Sequence, residues 1–272
     1  MNAFTVDVEE WFHICGVEGP LAPAYWDALS SRVETTTDRL LDELDAAQVT
    51  ATCFVVGWVA DRHPALVARI RAAGHAIGSH SYWHRHVHAL SEKEFEADLA
   101  SSLRALGDAG ASRVTAFRAA EWSLNERTPW AFDVLGRHQF RADASMAPVR
   151  IVGDVGYPRA PFRRQTSSGS LVEVPPFVVD RFGQAMPMGW GWALRSSTPR
   201  RVLRAMESAN RAGRPAVLTV HPWEIDPDPP RVRLPLRLHV AHYCWLDGFL
   251  QRLRQILRGA AFSTFDAIAD AV

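Results

Sequence analysis

The sequence predicts an α/β fold in which helices cover a parallel sheet. Strand-like and helix-like segments alternate about seven times along the chain, a pattern typical of parallel sheets with helical crossovers. Several strand-like segments, such as 51–56, are continuous apolar and β-branched runs, as expected for strands buried on both faces. Polar residues with reactive side chains follow these strands. Because parallel α/β folds build their sites at the carboxyl ends of strands, these residues are expected to meet there.

The amino-terminal part of the chain begins with a predicted strand at 3–8. Glycine and proline are frequent in the following stretch, 13–33, which predicts irregular structure. Leucines with helical spacing predict a helix at 37–44, and the apolar run 51–56 predicts the second strand. A helix at 64–73 has proline in its first turn, and a short third strand follows it.

The same alternation continues to the end of the chain. Ser91 and Glu94 have the spacing of a capping box, which predicts a helix from there to about Leu106. Proline, glycine and arginine dominate 147–169, which predicts a long loop. The other predicted segments are strand 114–118, helix 125–135, strand 139–142, strand 171–174, helix 199–212, strand 216–220, helix 245–257 and a short segment at 262–269. No repeat or linker divides the sequence, so we expect one domain over 1–272.

Composition excludes several classes of partner. The sequence has 30 basic and 30 acidic residues, so its formal net charge is zero. Without a global field, we expect neither nucleic acid nor an anionic membrane as partner. The three cysteines, Cys15, Cys53 and Cys244, are scattered and lack a CxxC spacing, which favours a reducing compartment. The sequence shows neither a signal peptide nor a run that could cross a bilayer, so a cytoplasmic location is expected.

Two histidines that directly follow the third strand are the strongest chemical signal. His80 and His84 are four residues apart, and imidazoles at this spacing can face one divalent cation if the backbone turns helically. Such a cation needs a further ligand, commonly a carboxylate. The first strand supplies Asp7 and Glu9, and alternation along a strand places both on one side. The sequence therefore predicts a hydrolase with a single divalent metal.

Four motifs, in order along the chain, resemble those of the polysaccharide deacetylases (carbohydrate esterase family four). These motifs are TVDVE (5–9), HSYWH (80–84), FRAA (117–120) and LTVHP (218–222). The resemblance covers nearly the whole chain, and further details at 7–12, 221–226 and 242–243 resemble a subgroup associated with bacterial exopolysaccharide loci. It implies a distorted (β/α)7 barrel and an enzyme that removes the N-acetyl group of an N-acetylated saccharide.

The resemblance also implies a role for each matched residue. The implied roles are Glu9, His80 and His84 as ligands of one divalent metal, most commonly zinc, Asp7 as base, His221 as acid, and Arg118 as the partner that keeps the base ionised. Three protein ligands leave a position for water, as in catalytic zinc sites. Many family members carry two adjacent acids, whereas this chain has Val8 in the second place. The reverse order, with Asp7 as ligand and Glu9 as base, is therefore the alternative.

Other residues are expected on the substrate side of the site. They are Trp122, Asp143, Glu173, Trp190 and Trp223. The tryptophans fall near predicted strand ends, where flat rings can stack on sugars. Asp143 and Glu173 are the candidate partners of His221, and the backbone amide nearest Trp122 is the expected donor to the oxyanion.

Two other functions are open on the sequence. One is an amidohydrolase acting on a small non-sugar amide or ring imide, because the same site suits any acyl C–N bond. The other is a sugar-binding pseudoenzyme, which the departures from the family pattern at Val8, Ala120 and Glu121 leave open. Cys15, near His13, is interpreted as an ordinary packing residue, and His86 and His88, close to the metal motif, as loop residues.

Overall fold

An eight-stranded sheet and a separate two-stranded sheet organise this computed structural model, which describes residues 1–181 and 183–272. The strands are β1 (Asn2–Val8), β2 (Thr52–Val55), β3 (Ala76–Ser79), β4 (Ala116–Phe117), β5 (Ala142–Asp143), β6 (Phe162–Thr166), β7 (Gly169–Glu173), β8 (Val178–Arg181), β9 (Gln184–Pro187) and β10 (Ala216–Val220). The large sheet has the order β10-β1-β2-β3-β4-β5-β7-β6, and β8 pairs with β9. Seven strands of the large sheet run parallel, and β6 is antiparallel to β7. The α/β fold with seven parallel strands, expected from the resemblance, is confirmed.

Helices connect the parallel strands. They are α1 (Val33–Ala46), α2 (Gly57–Arg62), α3 (Pro64–Ala72), α4 (Glu92–Asp108), α5 (Pro129–Arg137), α6 (Gly191–Arg195), α7 (Pro199–Arg211), α8 (Leu236–Tyr243), α9 (Phe249–Gly259) and α10 (Phe265–Asp270). Short 3-10 helices lie at Gly19–Leu21, Pro23–Ala28, Val87–Ala89, Ala120–Trp122 and Pro222–Ile225. The predicted capping box is present at the start of α4, where Ser91 and Glu94 bond each other's backbone N–H groups. Within the described residues, no helix is both long and apolar enough to span a bilayer.

The first strand lies at the centre of the site-bearing part of the sheet. Each of its seven residues is buried, because β10 flanks it on one side and β2 on the other. Phe4, Val6 and Val8 pack into the largest hydrophobic cluster, whereas Ala3 packs with Phe265 of α10 on the other face. Burial of an aromatic or branched aliphatic side chain stabilises the fold by roughly 1.5–3 kcal/mol. The buried side chains of β1 therefore fix the position of the residues at its carboxyl end.

Some sequence-based expectations about local structure were wrong. The predicted long loop at 147–169 contains β6, and the hairpin of β8 and β9 and the helices α2, α6 and α8 were not predicted. Along β6 (Phe162–Thr166), exposed and half-buried residues alternate at the sheet edge. Such an edge strand has no continuous apolar run, so hydrophobic pattern alone does not reveal it.

Candidate active site

The carboxyl ends of β1 and β3 bring the predicted metal ligands together. Glu9 follows β1, and its Oε2 atom lies 2.7 Å from Nε2 of His84 and 4.0 Å from Nε2 of His80. All three side chains are buried, and their ligand atoms lie within 4.8 Å of one another. A carboxylate and two imidazoles that leave room for a further ligand form a donor set typical of catalytic zinc sites.

The connection between the two histidines is a bend and not a helical turn. Ser81 and His84 have φ angles of 61° and 48°, in the left-handed region that residues other than glycine rarely adopt. Asp98 of α4 holds this bend by accepting the backbone N–H of Tyr82 at 2.6 Å. The ring centroids of His80 and His84 come to 4.9 Å. The backbone does not turn helically here, but the two imidazoles do meet at one carboxylate.

The tautomer of His80 suits a metal ligand. Its Nδ1 atom lies 2.7 Å from the backbone carbonyl of Arg118 and donates a hydrogen bond to it, so Nε2 has a free lone pair. Such an outer hydrogen bond commonly orients a ligating histidine. Burial lowers the pKa of His80 to about 4, which favours the neutral imidazole that a metal requires.

The charge state of Glu9 also fits a cation. Burial alone would raise the pKa of Glu9, but the nearby imidazoles of His84 and His221 outweigh this effect and hold the pKa below its ordinary value. Its Oε2 atom is buried and lies 2.7 Å from Nε2 of His84. A buried carboxylate is costly unless it is paired, and a cation held between Glu9 and the imidazoles would pair with it.

Asp7 lies beside this group but has a different partner. Arg118, which follows β4, donates from Nη1 to Oδ1 of Asp7 at 2.7 Å and to Oγ1 of Thr5 at 2.9 Å. The guanidinium group lies over the ring of Phe54 at 4.3 Å. The other oxygen of Asp7, Oδ2, lies 3.9 Å from Nε2 of His80. Arg118 therefore binds one oxygen of Asp7, and the second oxygen faces the histidines.

His221 follows β10 and completes the group. Its Nε2 atom lies 3.9 Å from Oδ2 of Asp7 and 3.8 Å from Oε1 of Glu9. Its Nδ1 atom lies 3.0 Å from Oε2 of Glu224, which also accepts the backbone N–H of His221 at 2.9 Å. Burial lowers the pKa of His221, but the negative charge of Glu224, followed by that of Glu9, outweighs burial and raises the pKa to about 9.

Glu224 is the functional residue that the sequence interpretation missed. It is buried and forms an ion pair with the equally buried Arg195. Burial would raise the pKa of Glu224, but Arg195 and His221 outweigh burial and lower the pKa to about 2. The three-residue spacing from His221, which forms a capping box across Pro222, is the signal that could have identified it.

The expectation that Asp143 or Glu173 is the partner of His221 was wrong. The two carboxyl groups lie on neighbouring strands in direct register. Ser145 Oγ donates to Asp143 at 2.5 Å, and the backbone N–H of Met146 donates to Glu173 at 2.9 Å. Burial raises the pKa of both groups. Their strand register therefore pairs them with each other.

Trp223 packs against residues of the site. Its indole N–H donates to Oε1 of Glu9 at 3.0 Å. Its ring stacks on His221, with centroids 5.1 Å apart, and on His242, with centroids 4.0 Å apart. Because only 7% of Trp223 is exposed, this arrangement argues against the expected stacking of a sugar on it. The tryptophan instead contacts Glu9 and His221.

The other two tryptophans expected at the substrate pack on each other. The ring centroids of Trp122 and Trp190 are 4.9 Å apart, and both side chains are buried in a small apolar cluster. The backbone N–H of Trp122 donates to the carbonyl of Ala119 at 3.2 Å. This amide is therefore not free to stabilise an oxyanion, contrary to expectation, and sugar contact at either ring stays a prediction.

Two family models match consecutive parts of the chain. The first, described as polysaccharide deacetylase, matches residues 23–140. The second, a domain of unknown function (DUF3473), matches residues 144–270. The second part supplies β10, which pairs with β1 in the same sheet, and it supplies His221. The candidate site therefore draws on both matched parts and on the segment that precedes them.

Curated deacetylases match parts of the chain, and a solved structure shares its fold. A peptidoglycan-N-acetylglucosamine deacetylase of Bacillus cereus is 39% identical over 59 residues, 22% of each chain. A chitooligosaccharide deacetylase of Rhizobium leguminosarum bv. trifolii is 29% identical over 113 residues, 42% of this chain and 48% of that protein. The match thus spans half or less of either relative. A putative polysaccharide deacetylase structure from Mycobacterium smegmatis, 24% identical, has a TM-score of 0.63 over 99% of this chain and 88% of that one, which shows a shared fold.

Proposed function

Because residues 23–140 match the polysaccharide deacetylase family model, we propose that the chain belongs to this family and is a metal-dependent enzyme that hydrolyses the N-acetyl amide of a saccharide and releases acetate. One observation carries this proposal. Glu9, His80 and His84 form a buried group of metal-ligand type. Asp7, which Arg118 binds, and His221, which Glu224 binds, both lie within 4 Å of this group. These are the groups that hydrolysis of an amide requires: a place for a cation, a base and an acid.

Glu9, His80 and His84 would hold one divalent cation, and zinc is the metal that we propose. When bound, such a cation polarises an acyl carbonyl and lowers the pKa of water. The chain prepares the ligands in advance, because the carbonyl of Arg118 fixes the ring of His80 and the indole of Trp223 fixes one oxygen of Glu9.

Asp7 is the proposed base. Arg118 binds its Oδ1 atom, so its Oδ2 atom faces the centre of the site, 3.9 Å from Nε2 of His80 and from Nε2 of His221. A water molecule or substrate group between these atoms would be within reach of the carboxylate. Removal of a proton from water by a positioned carboxylate is general-base catalysis.

His221 is the proposed acid. Glu224 accepts a hydrogen bond from Nδ1, so the proton available to the substrate is the one on Nε2. With a pKa of about 9, the ring is mostly protonated at neutral pH. It can donate this proton to the amine that leaves when the C–N bond breaks.

For the substrate we propose an N-acetylated saccharide of exopolysaccharide or surface-glycan biosynthesis. The relatives named above are deacetylases of peptidoglycan N-acetylglucosamine and of chitooligosaccharides, which supports the N-acetylhexosamine class. The three cysteines are free, which supports a reducing, cytoplasmic location. In that compartment, a lipid- or nucleotide-linked precursor is the substrate that we propose.

Acetate release from N-acetylhexosamine oligomers tests the proposal. We expect release with added zinc, none after chelation, and none from Asp7→Asn at unchanged metal content. Release from small non-sugar amides or imides alone would replace the saccharide with that substrate class. Binding of the oligomers without release from any amide would instead identify a sugar-binding pseudoenzyme.

A further inference from the structure

A second group of metal-ligating side chains lies beside the proposed catalytic centre. Cys15, His86 and Glu121 each offer a ligand atom, and these atoms lie within 4.8 Å of one another. Nε2 of His86 is 3.0 Å from Oε2 of Glu121. The three residues come from segments that follow β1, β3 and β4, so the same strand ends that build the first site also converge here.

The donor types differ from those of the first site. An imidazole beside a carboxylate at the surface is commonly an ordinary ion pair of little energetic consequence. The addition of a buried cysteine changes the chemistry, because a thiolate, an imidazole and a carboxylate together are preferred ligands of zinc-class cations. We propose that Cys15, His86 and Glu121 bind a second zinc-class cation, with one coordination position open to solvent.

Access to this group is open from one side. Cys15 is buried, whereas the side chains of His86 and Glu121 are 27% and 41% exposed. A cavity of about 630 Å³ is lined by His86, His88 and Glu121. The ring of His88 stacks on that of His86, with centroids 4.9 Å apart. A cation can therefore reach the group from solvent, as a metal site requires.

Cys15 also links this group to the first site. Its Sγ atom donates to the backbone carbonyl of His84 at 3.1 Å and lies 3.6 Å from Nδ1 of the same ring. Binding of a cation would release the thiol proton to solvent. The resulting thiolate could then accept a hydrogen bond from Nδ1–H of His84, whose Nε2 atom faces Glu9. Binding of the second cation would thus change the hydrogen bonding of His84, a proposed ligand of the first cation.

Cobalt(II) substitution tests the second site independently of activity. A thiolate bound to cobalt gives a near-ultraviolet charge-transfer absorption, which the carboxylate and imidazoles of the first site cannot give. We expect this band in the wild-type protein, together with two equivalents of bound zinc by elemental analysis after dialysis. In Cys15→Ser the band should be absent and one equivalent should remain.

Two controls separate this site from other thiols and from the first site. Cys244→Ser removes a half-buried thiol outside the group and should retain both the band and two equivalents of zinc. His80→Ala should lose one equivalent but keep the band, so failure of the first site is distinguishable from failure of the second. Glu121→Gln changes a partly exposed ligand with little risk to folding and should retain one equivalent. A wild-type protein without the band, or a band that persists in Cys15→Ser, would overturn the proposal.

Discussion

Replacement of Glu224 by Gln tests how the protein keeps His221 protonated. The carboxylate accepts hydrogen bonds from Nδ1 and from the backbone N–H of His221, at 3.0 and 2.9 Å. Burial lowers the pKa of His221, and Glu224 is the largest of the charges that raise it to about 9 from 6.5. The charge of Glu9, the hydrogen bond from Glu224 and the charge of Asp7 also raise it. Removal of the Glu224 charge should therefore lower the pKa of His221 by about 1–2 units, or about 1.4–2.7 kcal/mol.

The pH profile of kcat for acetate release measures this shift. The acid must be protonated to act, so the wild-type rate should fall as pH rises through about 9. A lower pKa in Glu224→Gln moves that fall to lower pH, and the variant should be most impaired on the alkaline side. Thermal unfolding of the variant checks that the pairing with Arg195 is not needed for folding.

Asp143→Asn is the matched comparison, because the sequence nominated Asp143 as a partner of His221. Its carboxyl group is bonded to Ser145 and lies on a different strand end, so its replacement should leave the alkaline fall in place. If Asp143→Asn moved that fall and Glu224→Gln did not, the assignment of Glu224 as the partner of His221 would be refuted.

Three further changes probe other parts of the structure. His80→Ala removes an imidazole whose Nε2 faces Glu9, so bound metal should be lost by elemental analysis; unchanged content would contradict the ligand assignment. Asp7→Asn should retain metal but abolish acetate release, because the base is lost while the ligands remain. Ser91→Ala removes the cap of α4 and should lower the free energy of unfolding by about 1 kcal/mol in urea titrations, whereas a change in acetate release would not be expected.

Those site residues that directly follow buried strands could be predicted from the sequence. Asp7, His80, Arg118 and His221 each lie at or just after an apolar run, and the parallel order of the strands brings these ends together. The buried parallel strands were predicted for the same reason, since burial on both faces leaves a continuous apolar pattern. The edge strand β6 has exposed side chains and leaves no such pattern.

The residues that pack around the site could not be predicted in this way. Trp223 was expected to contact sugar, and its actual contacts depend on His242, which arrives from a helix late in the chain. The group of Cys15, His86 and Glu121 likewise depends on three segments that are distant in sequence. Local pattern predicts which face of a strand is buried, but it carries no information about side chains that meet only through the packing of loops.

The roles of Asp7 and Glu9, left open by the sequence, are best distinguished by their partners. Asp7 lies near the end of β1, Glu9 lies just after it, and both are buried, so exposure does not separate them. Asp7 has an oxygen bound to Arg118 at 2.7 Å, whereas Glu9 has an oxygen 2.7 Å from His84 and no guanidinium contact among the described residues. A cation beside Asp7 would compete with a fixed positive charge, whereas Glu9 lies beside two imidazoles that can each offer a nitrogen ligand. This difference favours Glu9 as ligand and Asp7 as base, and loss of metal from Asp7→Asn would reverse the order.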